Sequence, residues 1–190
     1  MTKVQGNKLK KIGLFRAQEA KKFGISQAAL SRLVKEKKIN RVERGIYIHP
    51  RASISPHAVG FQVAFMKFGP KSAIGGMSAL FHYNFIEQVP AQTWIIVSPS
   101  VRTKDRLYRL MRTKTDPDIG IETKNRYRIA SIERALVEGL KFSSKIGRGT
   151  ALRAVRIAIQ NKQTNITSLR YMARALDLEK LFGRFLEDIL

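Results

Sequence analysis

GISQAALSRLVKEKKINRVERGIYIHP, residues 24–50, runs a short helical pattern straight into a basic hairpin pattern. Leu30, Leu33 and Val34 recur at helical spacing and give one apolar stripe over about Gln27–Lys37. Gln27, Ala28, Ser31, Arg32 and Lys35 fall on the opposite face. Ser26 stands where an N-cap hydroxyl accepts from an exposed backbone N–H. A helix that served only a core would need no basic hairpin behind it. A flexible basic tail would need no helix in front.

Upstream, Phe15–Gly24 reads as a shorter helix. Its stripe is Ala17, Ala20 and Phe23, and Gly24 is placed to end it in the left-handed conformation. A helix, a turn of about three residues and a second helix form the helix-turn-helix pattern, whose second helix enters the major groove with its N-terminal residues on base edges. Small Ala28 and Ser31 permit close approach, while Gln27 suits adenine and Arg32 guanine in bidentate geometry. Downstream, Ile39–Val42 and Ile46–Ile48 read as strands joined by Glu43-Arg44-Gly45. Lys37, Lys38, Arg41 and Arg44 put positive charge at the start and tip of this hairpin. It has the form of a wing that grips phosphate or minor groove, a contact that orients but specifies little. The two helices alone would equally fit a plain helical hairpin. The wing and the local charge favour DNA.

That charge is concentrated. The 190-residue chain holds 36 Lys and Arg against 14 Asp and Glu, a formal net charge of +22. Residues 1–50 alone carry 13 basic and 3 acidic residues. Such a surplus says little about fold and much about anionic partners. The absence of cysteine excludes disulfides and thiolate metal sites and fits a reducing cytoplasm. No apolar run reaches the length of a membrane span, and no signal-peptide pattern opens the sequence.

Past Pro50 the pattern becomes mixed. Helices are expected from Ser55-Pro56 through Phe68, over Met77–Tyr83 after Gly75-Gly76, and over Ile132–Phe142, Thr150–Gln160 and Ser168–Leu190, the last broken near Asp177. The run Trp94-Ile95-Ile96-Val97 reads as a strand buried on both faces. Lys71–Ile74, Leu107–Thr113, Ile119–Glu122 and Tyr127–Ala130 are further strands. The fold class is therefore α+β: a winged helix-turn-helix over residues 1–52, then a mixed domain over 53–190 that ends in a helical bundle. Leu181, Phe182, Phe185, Leu186 and Ile189 form an apolar stripe for the core or, alternatively, a dimer face.

Catalytic and metal patterns are sparse. His49, His57 and His82 lack metal-ligand spacing, and no phosphate-binding glycine loop is present. Gly147-Arg148-Gly149 reads as a helix connection rather than a phosphate site. Asp118, Glu122 and Lys124 superficially match the two-carboxylate and lysine arrangement of magnesium-dependent nucleases, but with short spacing. The basic run Arg102–Arg112 reads as an extension of the nucleic-acid footprint or as a solvated strand face, and the even net charge of +5 in each of residues 91–130 and 131–190 leaves a structural RNA-binding protein as a further alternative. Neither a catalytic residue nor a cofactor is assigned.

The segment LFRAQEAKKFGISQAALSRLVKEKKINRVERGIYIHP resembles the N-terminal winged helix of AbiEi-type antitoxins, the transcriptional regulators of type IV toxin–antitoxin pairs. SAIGGMSALFHYNFIEQVPAQTWIIVSP, SIERALVEGLKFSSKIGRGTALRAV and LRYMARALDLEKLFGRFLEDIL are similar to successive later segments of that family. Ala135 and Glu138, on the helix of the Glu133-Arg134 pair, stand where the family pattern has Thr and Asp. The resemblance implies a cytoplasmic, nucleoid-associated repressor, bound to operator DNA with inverted repeats as a monomer or weak dimer. It also implies functional neutralisation of a nucleotidyltransferase-type toxin without a stable complex, in phage defence. The DNA-reading positions would be Gln27, Ala28, Ser31, Arg32 and Lys35, with Arg41 and Arg44 on the wing.

Overall fold

The structure, a computed structural model, describes residues 3–124 and 126–189. The chain divides into two compact units, residues 1–63 and 64–190.

The first unit begins with α1 (Lys3–Ile12), β1 (Leu14–Arg16), α2 (Ala17–Lys21) and α3 (Gln27–Lys35). It continues with β2 (Asn40–Glu43), β3 (Ile46–Ile48) and the start of α4 (Pro56–Phe68), where Pro56 is the first helical residue. The strands form an antiparallel sheet in the order β1-β3-β2. Leu9, Phe15, Ala20, Ile25, Leu30, Leu33, Ile39 and Tyr47 close one core between this sheet and the helices. Helix, strand, two helices and a hairpin is a winged helix-turn-helix. Two of its elements depart from the sequence reading. Phe15 and Arg16 do not begin a helix: Phe15 pairs with Tyr47 in β1, and the helix starts at Ala17. α1 was not anticipated, because its lysines dilute an apolar face whose described members are Leu9 and Ile12.

The turn between α2 and α3 spans five residues instead of three, and its geometry is well defined. Gly24 has φ +72, its N–H donates to the Lys21 carbonyl and the Ile25 N–H to the Ala20 carbonyl. This is a Schellman motif, and the buried Ala20 and Ile25 supply its apolar contact.

The second unit holds α5 (Gly76–His82), a five-stranded mixed sheet and a helical layer. The strands are β4 (Ala73–Ile74), β5 (Thr93–Val97), β6 (Tyr108–Arg112), β7 (Ile121–Lys124) and β8 (Tyr127–Ala130), in the order β6-β5-β4-β8-β7. Residues 94–97 of β5 are buried on both faces, as their continuous apolar run predicts. α6 (Ile132–Lys141) packs against α5 and against α7 (Ser143–Ile146), α8 (Arg148–Gln160), α9 (Ile166–Ala175) and α10 (Glu179–Gly183), and α11 (Leu186–Ile189) packs on α8. The expected break falls at Asp177, which has φ +57 and ends α9 in a Schellman motif. Phe182, Phe185 and Ile189 are buried in this unit, so the final stripe is core.

Arg134 joins the layers of this unit. It is fully buried, and its Nε donates to Glu138 Oε1 at 3.0 Å. Its Nη1 donates to the carbonyls of Pro117 and Ile119 in the turn before β7. Glu138 is itself 6% exposed. Its Oε2 has no hydrogen bond of normal geometry and lies 3.3 Å from where a Cβ on Gly75 would stand, a position only 2.6 Å from Ile96. Burial pushes the Glu138 carboxyl up, opposed chiefly by the Arg134 charge and more weakly by Lys141 and the Gly76 N–H. Gly76 follows at φ +47 with Trp94 already occupying the space of a Cβ. Replacing Arg134 by Ala would strand Glu138 and two carbonyls, at a cost of roughly 3–5 kcal/mol. Urea denaturation should show the Arg134→Met/Glu138→Leu double variant to be more stable than Arg134→Ala. A double variant no better than the single one would assign the effect to the stranded carbonyls.

Candidate nucleic-acid interface

α3 buries Leu30 and Leu33 and exposes Gln27, Ala28, Ser31, Arg32 and Lys35. Ser26 Oγ accepts from the Ala29 N–H at 3.2 Å, the expected N-cap. The helix ends at Lys35 rather than Lys37. Lys37 lies beyond it at φ +54, its N–H donating to the Val34 carbonyl while the Lys38 N–H donates to the Leu33 carbonyl. A lysine in the left-handed position of a Schellman motif is unfavourable by about 1 kcal/mol relative to glycine.

Several side chains of the exposed face are held in place. Gln27 Nε2 donates to Tyr47 Oη at 3.2 Å, and Ser31 Oγ donates to the Gln27 carbonyl at 3.1 Å. Tyr47 is buried and stacks on Phe15, with ring centroids 6.0 Å apart. Arg41 stands directly opposite Tyr47 across the β2–β3 ladder, on the same sheet face. Tyr47 thus ties the start of α3 to the wing. Periodicity alone did not single it out, because its side chain reads as an ordinary apolar position of a strand.

Glu36 is the other unanticipated participant. It pairs with Lys38 at 2.8 Å and loosely with Arg32 at 3.9 Å. The hydrogen bond from Lys38 outweighs desolvation and, with the charges of Lys38 and Arg32, holds its carboxyl below the usual range. In the wing, Glu43 pairs with Ile46, a bulge falls between Arg41 and Glu43, and Arg44-Gly45 forms the tip, with Gly45 at φ +77. Arg41 Nε donates to the Glu43 carbonyl at 3.3 Å, and Arg44 is exposed. Lys35, Lys37, Lys38, Arg41 and Arg44 therefore border the exposed face of α3 within one unit.

The other candidate sites are dispersed. Asp118 lies in the turn before β7, not on the strand, and its carboxylate pairs with Arg128 at 2.5 Å. Glu122 pairs with Lys124 at 3.2 Å. Among the described residues no three His, Cys, Asp or Glu side chains gather as a metal site. Arg148 of the glycine-flanked sequence pairs with Asp188 and lies over the Phe185 ring. Within the basic run, Arg102 and Arg112 donate to nearby carbonyls and Arg109 lies over Trp94. Much of that run's charge is thus engaged locally.

Residues 9–49 match the family model described as "Transcriptional regulator, AbiEi antitoxin". The matched span runs from the end of α1 through β3 and contains every residue of the exposed face and wing. It supports a DNA-binding antitoxin role. The search of curated proteins gave no match. Among solved structures the chain is similar to the crystal structure of RV2827C protein from Mycobacterium tuberculosis, with a TM-score of 0.62 and 12% identity over 94% of this chain and 75% of that one. At that identity the likeness concerns the fold. Among the described residues no helix is long and apolar enough to cross a membrane.

Lys37→Gly should raise stability by about 1 kcal/mol by removing the left-handed strain. Tyr47→Phe should lower it by roughly 0.5–1.5 kcal/mol by freeing Gln27. Chemical denaturation of the two variants reads both, and a destabilised Lys37→Gly would contradict the assigned backbone cost.

Proposed function

We propose that the chain is a sequence-specific DNA-binding transcriptional repressor and the antitoxin of a type IV toxin–antitoxin pair. It represses its own operon at inverted repeats and neutralises a nucleotidyltransferase-type toxin without a stable complex. In this reading residues 1–52 are the DNA-binding domain and 53–190 the antitoxin-like domain, and the protein is cytoplasmic, non-enzymatic and monomeric or weakly dimeric on DNA. The observation that carries it is the exposed α3 face beside a basic wing, inside the span matched by the regulator family.

The division of labour follows from side-chain chemistry. Gln27 and Arg32 offer bidentate groups to base edges, while Ala28 and Ser31 allow the helix to approach. Lys35, Lys37, Lys38, Arg41 and Arg44 neutralise phosphates.

Fluorescence anisotropy with the chain's own upstream DNA and a scrambled duplex, over a salt series, tests this. Selective binding should weaken by roughly 10³–10⁵ between 50 and 200 mM salt if six to ten phosphates are contacted. Arg32→Ala should cost about 1–3 kcal/mol on the preferred duplex and relax selectivity, whereas Arg44→Ala should weaken both duplexes equally. Equal, salt-labile binding to both duplexes by the unmodified protein would reject the repressor reading and turn attention to structured RNA.

A further inference from the structure

The first unit carries a second basic feature outside the exposed α3 face and the wing. An open cleft of about 440 Å³ lies between the end of α1 and the chain after β3. Lys10, Lys11 and Arg51 line it, together with the polar Asn7 and Ser53 and the apolar Ile12 and Ile54. Among the described residues no carboxylate lines it. Three cations facing one cavity repel one another, and an anion placed there removes that repulsion.

The chain fixes this cluster by local bonding. His49 donates its backbone N–H to the Gly13 carbonyl at 2.9 Å, and the Ala52 N–H returns to the His49 carbonyl at 2.9 Å. His49 Nδ1 accepts from the Arg51 N–H at 3.1 Å, which requires that nitrogen to be unprotonated. Burial, and then the charges of Lys10 and Arg51, hold the His49 imidazole below its ordinary pKa and keep it in the accepting form.

Sheet register relates the cleft to α3. Leu14, Ile48 and Asn40 are paired across the three strands. Gly13 and His49 therefore lie at the same end of the sheet as Asn40, the residue that Lys37, Lys38 and Ile39 lead into. Strands in a sheet are about 4.8 Å apart, so β1 and β2 are separated by about 10 Å there. The wing tip, Arg44-Gly45, marks the opposite end of the same sheet.

We propose that the cleft of Lys10, Lys11 and Arg51 binds a backbone phosphodiester of the DNA held by α3, as a phosphate contact separate from the wing. The assignment rests on the repressor reading and extends its footprint along α1. The cleft contributes to affinity for every sequence alike, since phosphates carry no base identity.

The test is the Lys10→Gln/Lys11→Gln/Arg51→Gln variant in the full chain, with circular dichroism and thermal midpoint as checks on folding. On both the upstream and the scrambled duplex the slope of log affinity against log salt should become shallower by about 0.9 per lost contact, up to about 2.7. The ratio of the two affinities should stay unchanged. The charge-keeping Lys10→Arg/Lys11→Arg/Arg51→Lys variant should restore the slope, and the single Gln substitutions replace the triple one if it fails to fold. An unchanged slope overturns the proposal. Inorganic phosphate titrated by NMR distinguishes the other source: saturable submillimolar shifts at Lys10, Lys11 and Arg51, with an unchanged DNA slope, would make this a small-anion site and overturn the DNA assignment. If the unmodified protein shows no duplex selectivity, the repressor reading fails, while a slope change in the variant still supports phosphodiester binding.

Discussion

Tyr47 satisfies three demands at once. Its ring lies in the core against Phe15, its backbone is in the central strand, and its hydroxyl holds the amide of Gln27. The buried phenol oxygen accepts a hydrogen bond from the first residue of α3. The orientation of the helix face and the pairing of the wing are therefore set by one side chain. Phe15 can stack on it only because residues 14–16 extend into a strand. Without β1, the two helices and the hairpin would have no common sheet to pack on.

The second unit uses a polar device for a comparable purpose. Arg134 collects a carboxylate from its own helix and two carbonyls from the turn before β7. The same carboxylate lies beside the space above Gly75, the residue before α5, so α6, the start of α5 and that turn come together near one guanidinium. A hydrophobic side chain could fill the volume but could not satisfy the carbonyls. Glu138 is thus the partner that makes burial of Arg134 tolerable.

Elements with a strong local signal were legible in the sequence. The N-cap at Ser26, the left-handed Gly24, the buried β5 and the break at Asp177 each follow from one or two residues. Every residue read as the outer face of α3 is exposed. What escaped was set by distant partners. Residues 14–16 carry an apolar pair that suits a helix start as well as a strand, and only their pairing with residues 46–48 decides between them. Lys37 gives no composition cue for a left-handed residue, since that conformation is imposed by the Schellman turn. The approach of Glu138 to Gly75 brings together two segments far apart in the sequence. Asp118, Glu122 and Lys124 do not share one strand, as their spacing would have allowed: Asp118 lies on a turn and pairs with Arg128.

The polar side chains of the α3 face and wing divide into two kinds. Gln27, Ser31 and Arg32 are engaged with neighbours on the unit itself, so their side chains are partly ordered before any ligand arrives. Among the described residues Lys35, Lys37 and Arg44 have no carboxylate within ion-pair distance and are exposed. Ordering side chains in advance lowers the entropy lost on binding, and it matters most where geometry discriminates, at base edges. Phosphate contacts need charge more than geometry, so mobile lysines lose little by remaining free. Glu36 adds a further constraint: it draws Lys38 and Arg32 toward a carboxylate, and a phosphate must compete with it for both. In the proposed repressor that competition would lower affinity for any duplex that cannot also satisfy Arg32 on a base. At a charge of +22, whose long-range attraction acts on every nucleic acid equally, specific binding would need such a restraint.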